Sequence, residues 1–240
     1  MRMNTRIFFA LLLLPSARLF AQKSLLIDRQ EYSCATSFNI AVRTKNVSNV
    51  VALQASIVWD TSVVRYSSIS FTSSAISFNS SNINTSSAAN GQLSFLWFDG
   101  NVQGRTVADS TALFTISFTR NGNGNGRGYI NFGNSPTQLE MDTTDAQGQP
   151  VNNLDAVFTN GYVTTPYTYR FIGTGNWSQA ANWQNSQQPP AVLPSCSEII
   201  INPAGTTTCS LDVPQTISAG AKLSVADGKK FVVPGSLTIQ

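Results

Sequence analysis

Apolar and polar residues alternate with period two through this chain, and no segment keeps apolar residues three and four apart. TSFNIAVRT, GQLSFLWFD and TALFTISFTR show the pattern most plainly. Successive side chains of a strand point to opposite faces, so such segments suit a half-buried sheet and not a helix. Residues 24–165 then hold about nine strands, SLLIDR, TSFNIAVRT, VVALQASIVW, VVRYSSIS, AISFN, GQLSFLWFD, TALFTISFTR, GYINF and AVFTNGYVTT, punctuated by Gly, Asn and Ser. Short strands in that number pack as two stacked sheets, which predicts an all-β sandwich. NGNGNGRG, after ISFTR, is expected to be a flexible hairpin or loop; it lacks the Lys and Ser/Thr of a phosphate-binding loop.

Three segments are expected. Arg2 and Arg6 precede the apolar run IFFALLLL, and small Ala21 follows, so residues 1–21 read as a signal peptide. That run is far short of the ~20 apolar residues of a membrane span, so no membrane insertion is expected and the protein is placed outside the cell or at its surface. Residues 22–165 form the sandwich. Pro166 then interrupts the strand pattern, and 166–240 read as a small β-rich segment: EIIIN, TCSLDV, TISA, KLSVA, KFVV and SLTI, each cut off by Gly or Pro, suggest the coils of a β-solenoid or a small roll. Its last piece shows no cap, so a partner over that edge or a longer ancestral protein is expected.

Removing Arg2, Arg6 and Arg18 from the 15 basic residues leaves twelve against twelve acidic ones. Without a basic surplus there is no electrostatic footprint for nucleic acid. The absence of histidine removes catalytic triads, imidazole relays and histidine-ligated zinc. Among the acids only Glu140, Asp142, Asp145 and Asp155 cluster, in what reads as a loop, so no enzyme activity and no cofactor are expected. Asp142 and Asp145 with Gly148 form a weak calcium candidate, ordinary turn chemistry being the favoured alternative.

Four stretches, in order, carry a family resemblance. NVSNVVALQASIVWDTSVVRYSSIS has a strand running into Trp59 and Asp60, then a turn and a valine-rich strand. GQLSFLWFDG is a Gly-led strand ending in an aromatic-rich Asp turn, ADSTALFTISFTR leads into a Phe-x-Ile-x-Phe strand, and MDTTDAQGQPVNNLDAVFTNGYVTT closes with an Asp-rich loop and an Asn-Gly-x-Val strand. Together they resemble the cohesin domain from about Ser24 to Thr165. The resemblance implies a nine-stranded jelly-roll β-sandwich of the kind shared with carbohydrate-binding modules. It further implies a scaffolding module for dockerin-bearing enzymes, or attachment to extracellular polysaccharide in polysaccharide catabolism. GTGNWSQAANWQ resembles, more loosely, an entry motif before β-roll segments in surface proteins of Bacteroidetes-type bacteria.

Parity assigns the faces. Leu53, Ala55, Ile57 and Trp59, and Leu93, Phe95 and Trp97, are expected inside. Gln54, Ser56, Val58, Ser94, Leu96 and Phe98 are then expected outside, on strands that in cohesins form the dockerin-facing sheet. This outward set reads either as a partner-binding face or as packing surface for the second segment. Trp177 and Trp183 are a candidate sugar platform, the alternative being a small core. Cys196 and Cys209 are expected to form a local disulfide, leaving Cys34 as a buried thiol on the parity of Phe38 and Ile40. Two functions stay open: a secreted binding module for a dockerin-like protein or a polysaccharide, and a structural or adhesive surface protein with the sandwich as a spacer.

Overall fold

A computed structural model describes residues 22–31, 34–72, 76–121, 126–153 and 155–240. The expected signal peptide, 1–21, and half of the NGNGNGRG stretch, 122–125, lie outside the described residues.

Strands in chain order are β1 (Ser24–Ile27), β2 (Arg29–Gln30), β3 (Ser37–Lys45), β4 (Val50–Trp59), β5 (Val64–Phe71), β6 (Ile83–Asn84), β7 (Gln92–Phe98), β8 (Ala112–Arg120), β9 (Gly126–Gly133), β10 (Glu140–Thr144), β11 (Pro150–Asn152), β12 (Val157–Thr159) and β13 (Gly161–Thr165). Among the described residues they make two sheets. One runs β12-β1-β3-β8-β5; the other runs β11-β10-β4-β9-β13-β2, with β7 along the opposite edge of β4, from Ala52 to Val58, and β6 beyond it. Register brings apolar faces together: Phe38 lies opposite Phe118, Ile40 opposite Ile116 and Val42 opposite Phe114, and all six are buried. The two inner faces enclose one core, as in a jelly-roll sandwich. Phe78, Phe95 and Phe114 meet there with ring centroids 5.2–5.9 Å apart, and Trp59 packs edge-on against Phe118 at 5.2 Å. Trp59 and Trp97 are core residues, as parity requires.

Two of the expected strands are each split between sheets. SLLIDR passes from β1 in one sheet to β2 in the other at Asp28, and AVFTNGYVTT does the same between β12 and β13. The breaks lie side by side, because β1 pairs in parallel with β12 and β2 with β13. Gly161 makes the crossing fit: a Cβ there would lie 2.2 Å from Asp28 O and 2.5 Å from Ile27 Cγ2. Asp28 is fixed in turn by an ion pair to Arg43 Nε at 2.8 Å. Of the expected strand AISFN, the described residues 76–79 form no strand. Ile76 and Phe78 are buried, but Ser77 takes a left-handed φ of 50° and the chain turns into a 3-10 segment capped by Asn79.

From Thr168 the chain winds as a β-solenoid. The strands are β14 (Thr168–Phe171), β15 (Gly175–Asn176), β16 (Val192–Leu193), β17 (Glu198–Ile201), β18 (Thr208–Ser210), β19 (Gln215–Ile217), β20 (Lys222–Val225), β21 (Lys230–Val232) and β22 (Leu237–Ile239). They stack in parallel as three short sheets, β14-β17-β20, β15-β18-β21 and β16-β19-β22. Each coil buries its inward positions on the next, so Phe171, Ile199, Ile201, Cys209, Leu211 and Ile217 line a second core.

The cysteine pairing differs from expectation. Cys34 and Cys196, 162 residues apart, form the disulfide, with Cα atoms 5.5 Å apart, and Cys209 is the free, buried thiol. Cys209 sits in β18 opposite Phe231 and faces the solenoid interior. Cys196 lies in the turn before β17, where φ is 63°. The two therefore cannot meet. Cys34 precedes the start of β3, so the strand parity that suggested a buried thiol does not extend to it; it is exposed. Burial, then the nearby Asp212 charge, pushes the Cys209 thiol up to about 12, leaving it protonated and inert.

Candidate functional site: the outward face of the eight-stranded sheet

Strand register sets the outward side chains in rows. Asn152 and Asp142 continue across the sheet to Ala52 and Phe98; Glu140, Gln54 and Leu96 form the next row; Ser56 and Ser94 the third. Leu96 and Phe98 are exposed by 49% and 66%, so these two large apolar side chains sit together on solvent with the solenoid in place. They are not covered by the second segment. An exposed aromatic–aliphatic pair rimmed by polar groups has the character of a protein contact surface.

Two of the other outward residues, Ser56 and Ser94, differ from expectation. Ser56 is fully buried, because the chain between β9 and β10 crosses above it: Ser56 Oγ accepts from Thr137 N at 2.9 Å and donates to Thr137 O at 3.0 Å. Ser94, opposite it, is buried as well. Neither reaches a partner at this surface. Gln54 and Val58 are half-buried, and Gln54 Nε2 donates to Glu140 Oε2 at 2.8 Å.

The stretch expected as an acidic loop begins as a strand, β10. Met141 and Thr143 point inward and are buried, which turns Glu140 and Asp142 to the outward face beside Leu96 and Phe98. Asn152 Nδ2 donates to Glu140 Oε1 at 2.9 Å, whereas Asp142 Oδ1 is buried without a hydrogen-bond partner. Burial, and then the Glu140 charge, raises the Asp142 carboxyl above its ordinary value. Asp145 lies in the hairpin turn, where its Oδ1 accepts from the backbone of Gln147 at 2.9 Å and Gln149 at 2.8 Å. The calcium candidate of Asp142 and Asp145 is thereby dispersed into strand and turn. Among the described residues no three acidic or thiol ligands gather around a point.

The β7 end of the face is fixed by a turn. Asp99 is buried, and its carboxylate accepts from the backbone of Gln103 at 3.0 Å and Gly104 at 3.1 Å and pairs with Arg105 at 3.4 Å. Burial pushes this carboxyl up, but the Asn101 N–H, the Arg105 charge and the Gln103 N–H outweigh it and hold it below the usual range. Phe98 thus projects from a backbone anchored on its C-terminal side.

Trp177 and Trp183 are no sugar platform. They are exposed by only 2% and 1%, meet edge-to-face at 4.7 Å, and Trp183 Nε1 donates to Trp177 O at 2.8 Å. The first solenoid coil has a wide interior to fill, and these rings with Phe171 fill it.

Comparison with known proteins gives the sandwich a family. The structure is similar to a type I cohesin, the seventh of ScaB from Pseudobacteroides cellulosolvens, at 14% identity and TM-score 0.50, over 61% of this chain and 93% of that one. It is also similar to the sixth cohesin of scaffoldin B from Acetivibrio cellulolyticus, solved with a Cel5 dockerin, at 20% identity and TM-score 0.47, over 60% and 99%. A third is the OlpA cohesin of Clostridium thermocellum, solved with a dockerin, at 13% identity and TM-score 0.48, over 60% and 99%. No curated protein matches. The cohesin domain model matches residues 26–165, which is more than half of the chain and spans both sheets of the sandwich. The chain therefore belongs to the cohesin family.

Proposed function

We propose that the protein is a non-catalytic scaffolding module that works outside the cell and presents the outward face around Leu96 and Phe98 to a dockerin-like protein. In this reading it attaches that partner within an assembly acting on polysaccharide. Support comes from the exposed Leu96–Phe98 pair, held on a rigid sheet of a cohesin and bordered by Glu140 and Asp142. Solved cohesins named above hold dockerins. The leader-like sequence of residues 1–21 and the disulfide support an oxidising, extracellular setting.

Phe98→Asp tests it. Surface plasmon resonance against a panel of purified dockerin modules is expected to find a binder for the wild type and at least about a tenfold loss for the variant, since central aromatic anchors dominate such interfaces. The unfolding free energy is expected to stay within about 0.5 kcal/mol, as for other surface substitutions. Binding unaffected by the change would place the partner on another surface, and a panel without any binder would favour a spacer role for the sandwich.

A further inference from the structure

Where the sandwich meets the first solenoid coil, Arg120, Tyr167, Tyr169, Arg170, Gln184 and Asn185 line a cleft of about 220 Å³. We propose that this cleft binds a carboxylate-bearing sugar, one uronate unit of an acidic polysaccharide. It lies apart from the dockerin-facing surface, and no residue is shared between the two.

The lining selects the chemistry. Two arginines and no acidic residue line the cleft, in a protein whose basic and acidic residues balance from residue 22 onward. Such a concentration of one sign favours an anion, and guanidinium matches carboxylate with paired charge-assisted hydrogen bonds. Arg120 is held in place by its donation to Pro166 O at 3.0 Å. Tyr167, half-buried, supplies aromatic surface of the kind that packs on a pyranose, and the buried Tyr169 ring backs it at a centroid distance of 4.5 Å. Gln184 and Asn185 add amides, which donate to and accept from hydroxyls at once. No aliphatic side chain contributes to the wall, so an apolar peptide segment has nothing to pack on. The volume lies below the ~300–1,000 Å³ of drug-sized sites, which suits a single ring.

Backbone geometry adds a second observation. Asn185 and Ser186 take consecutive left-handed conformations, with φ of 58° and 55°. Such residues reverse the chain sharply, and Asn adopts this region more readily than most. Here the buried Trp183 anchors the turn that carries Gln184 and Asn185 into the cleft wall.

Isothermal titration of the full chain with tetragalacturonate, its methyl ester and cellotetraose tests the proposal. The free acid is expected to bind, the ester and the neutral sugar at least about tenfold more weakly, with affinity falling as sodium chloride rises. Arg170→Gln, at an exposed position, is expected to cost the acid about tenfold or more with no change in melting. Asn185→Gly keeps a left-handed turn accessible while removing the amide, and is expected to weaken binding too. Phe98→Asp is expected to leave sugar binding intact. Equal affinity for the ester, an unaffected Arg170→Gln, or no binding of the acid overturns the assignment.

Discussion

Replacing Cys34 and Cys196 by Ala is expected to lower the unfolding free energy by about 3–5 kcal/mol, among the largest effects available from so few atoms. The bond closes a loop of 162 residues, and cross-linking so distant a pair restricts the unfolded chain strongly in the loop-entropy account. Cys34 is exposed and Cys196 half-buried, so little of the loss comes from an emptied cavity. Urea unfolding with and without dithiothreitol measures the difference. Mass spectrometry of a non-reduced digest with trypsin and a glutamyl endopeptidase, which cuts between Cys196 and Cys209 at Glu198, should join the Cys34 peptide to the Cys196 peptide. A Cys196–Cys209 link, or a variant as stable as the wild type, would contradict the pairing.

Gly161→Ala is expected to cost about 3 kcal/mol or more, because the added methyl meets backbone and core atoms that have no room to retreat. The contact with Asp28 O lies where both terminal segments change sheets, so relief requires both crossings to shift. Gly100→Ala is the control: nothing lies within 4 Å of its Cβ position, and a change within about 0.5 kcal/mol is expected. Equal losses at the two positions would show that the crossing is not sterically determined.

These contacts mark what alternation conveys and what it does not. Period two reports which side of a strand a residue occupies, so the inward Leu53, Ala55, Ile57, Trp59, Leu93, Phe95 and Trp97 were all legible. It does not report which sheet a strand joins, and so the transfers at Asp28 and Asn160 were invisible, although the Asn-Gly pair marked a turn in AVFTNGYVTT. The outward Leu96 and Phe98 were legible for the same reason, but the burial of Ser56 depends on residues 134–139, eighty positions away in sequence, passing overhead. Alternation in Glu140–Thr144 was available and was overshadowed by its acidic, turn-like composition. Trp177 and Trp183 stand in a polar stretch whose local character says nothing of the coil that closes around them. The cleft escaped for a similar reason: Arg120 belongs to the sandwich and Asn185 to the solenoid, and only the fold brings them to one wall.

In the proposed function the Leu96–Phe98 face docks the partner. Hydrogen–deuterium exchange of the full chain, with and without a saturating bound dockerin module, tests it directly. Protection is predicted across β7 and the adjoining β4 and β10. Protection confined to the solenoid or to the β12-β1-β3-β8-β5 sheet would contradict it.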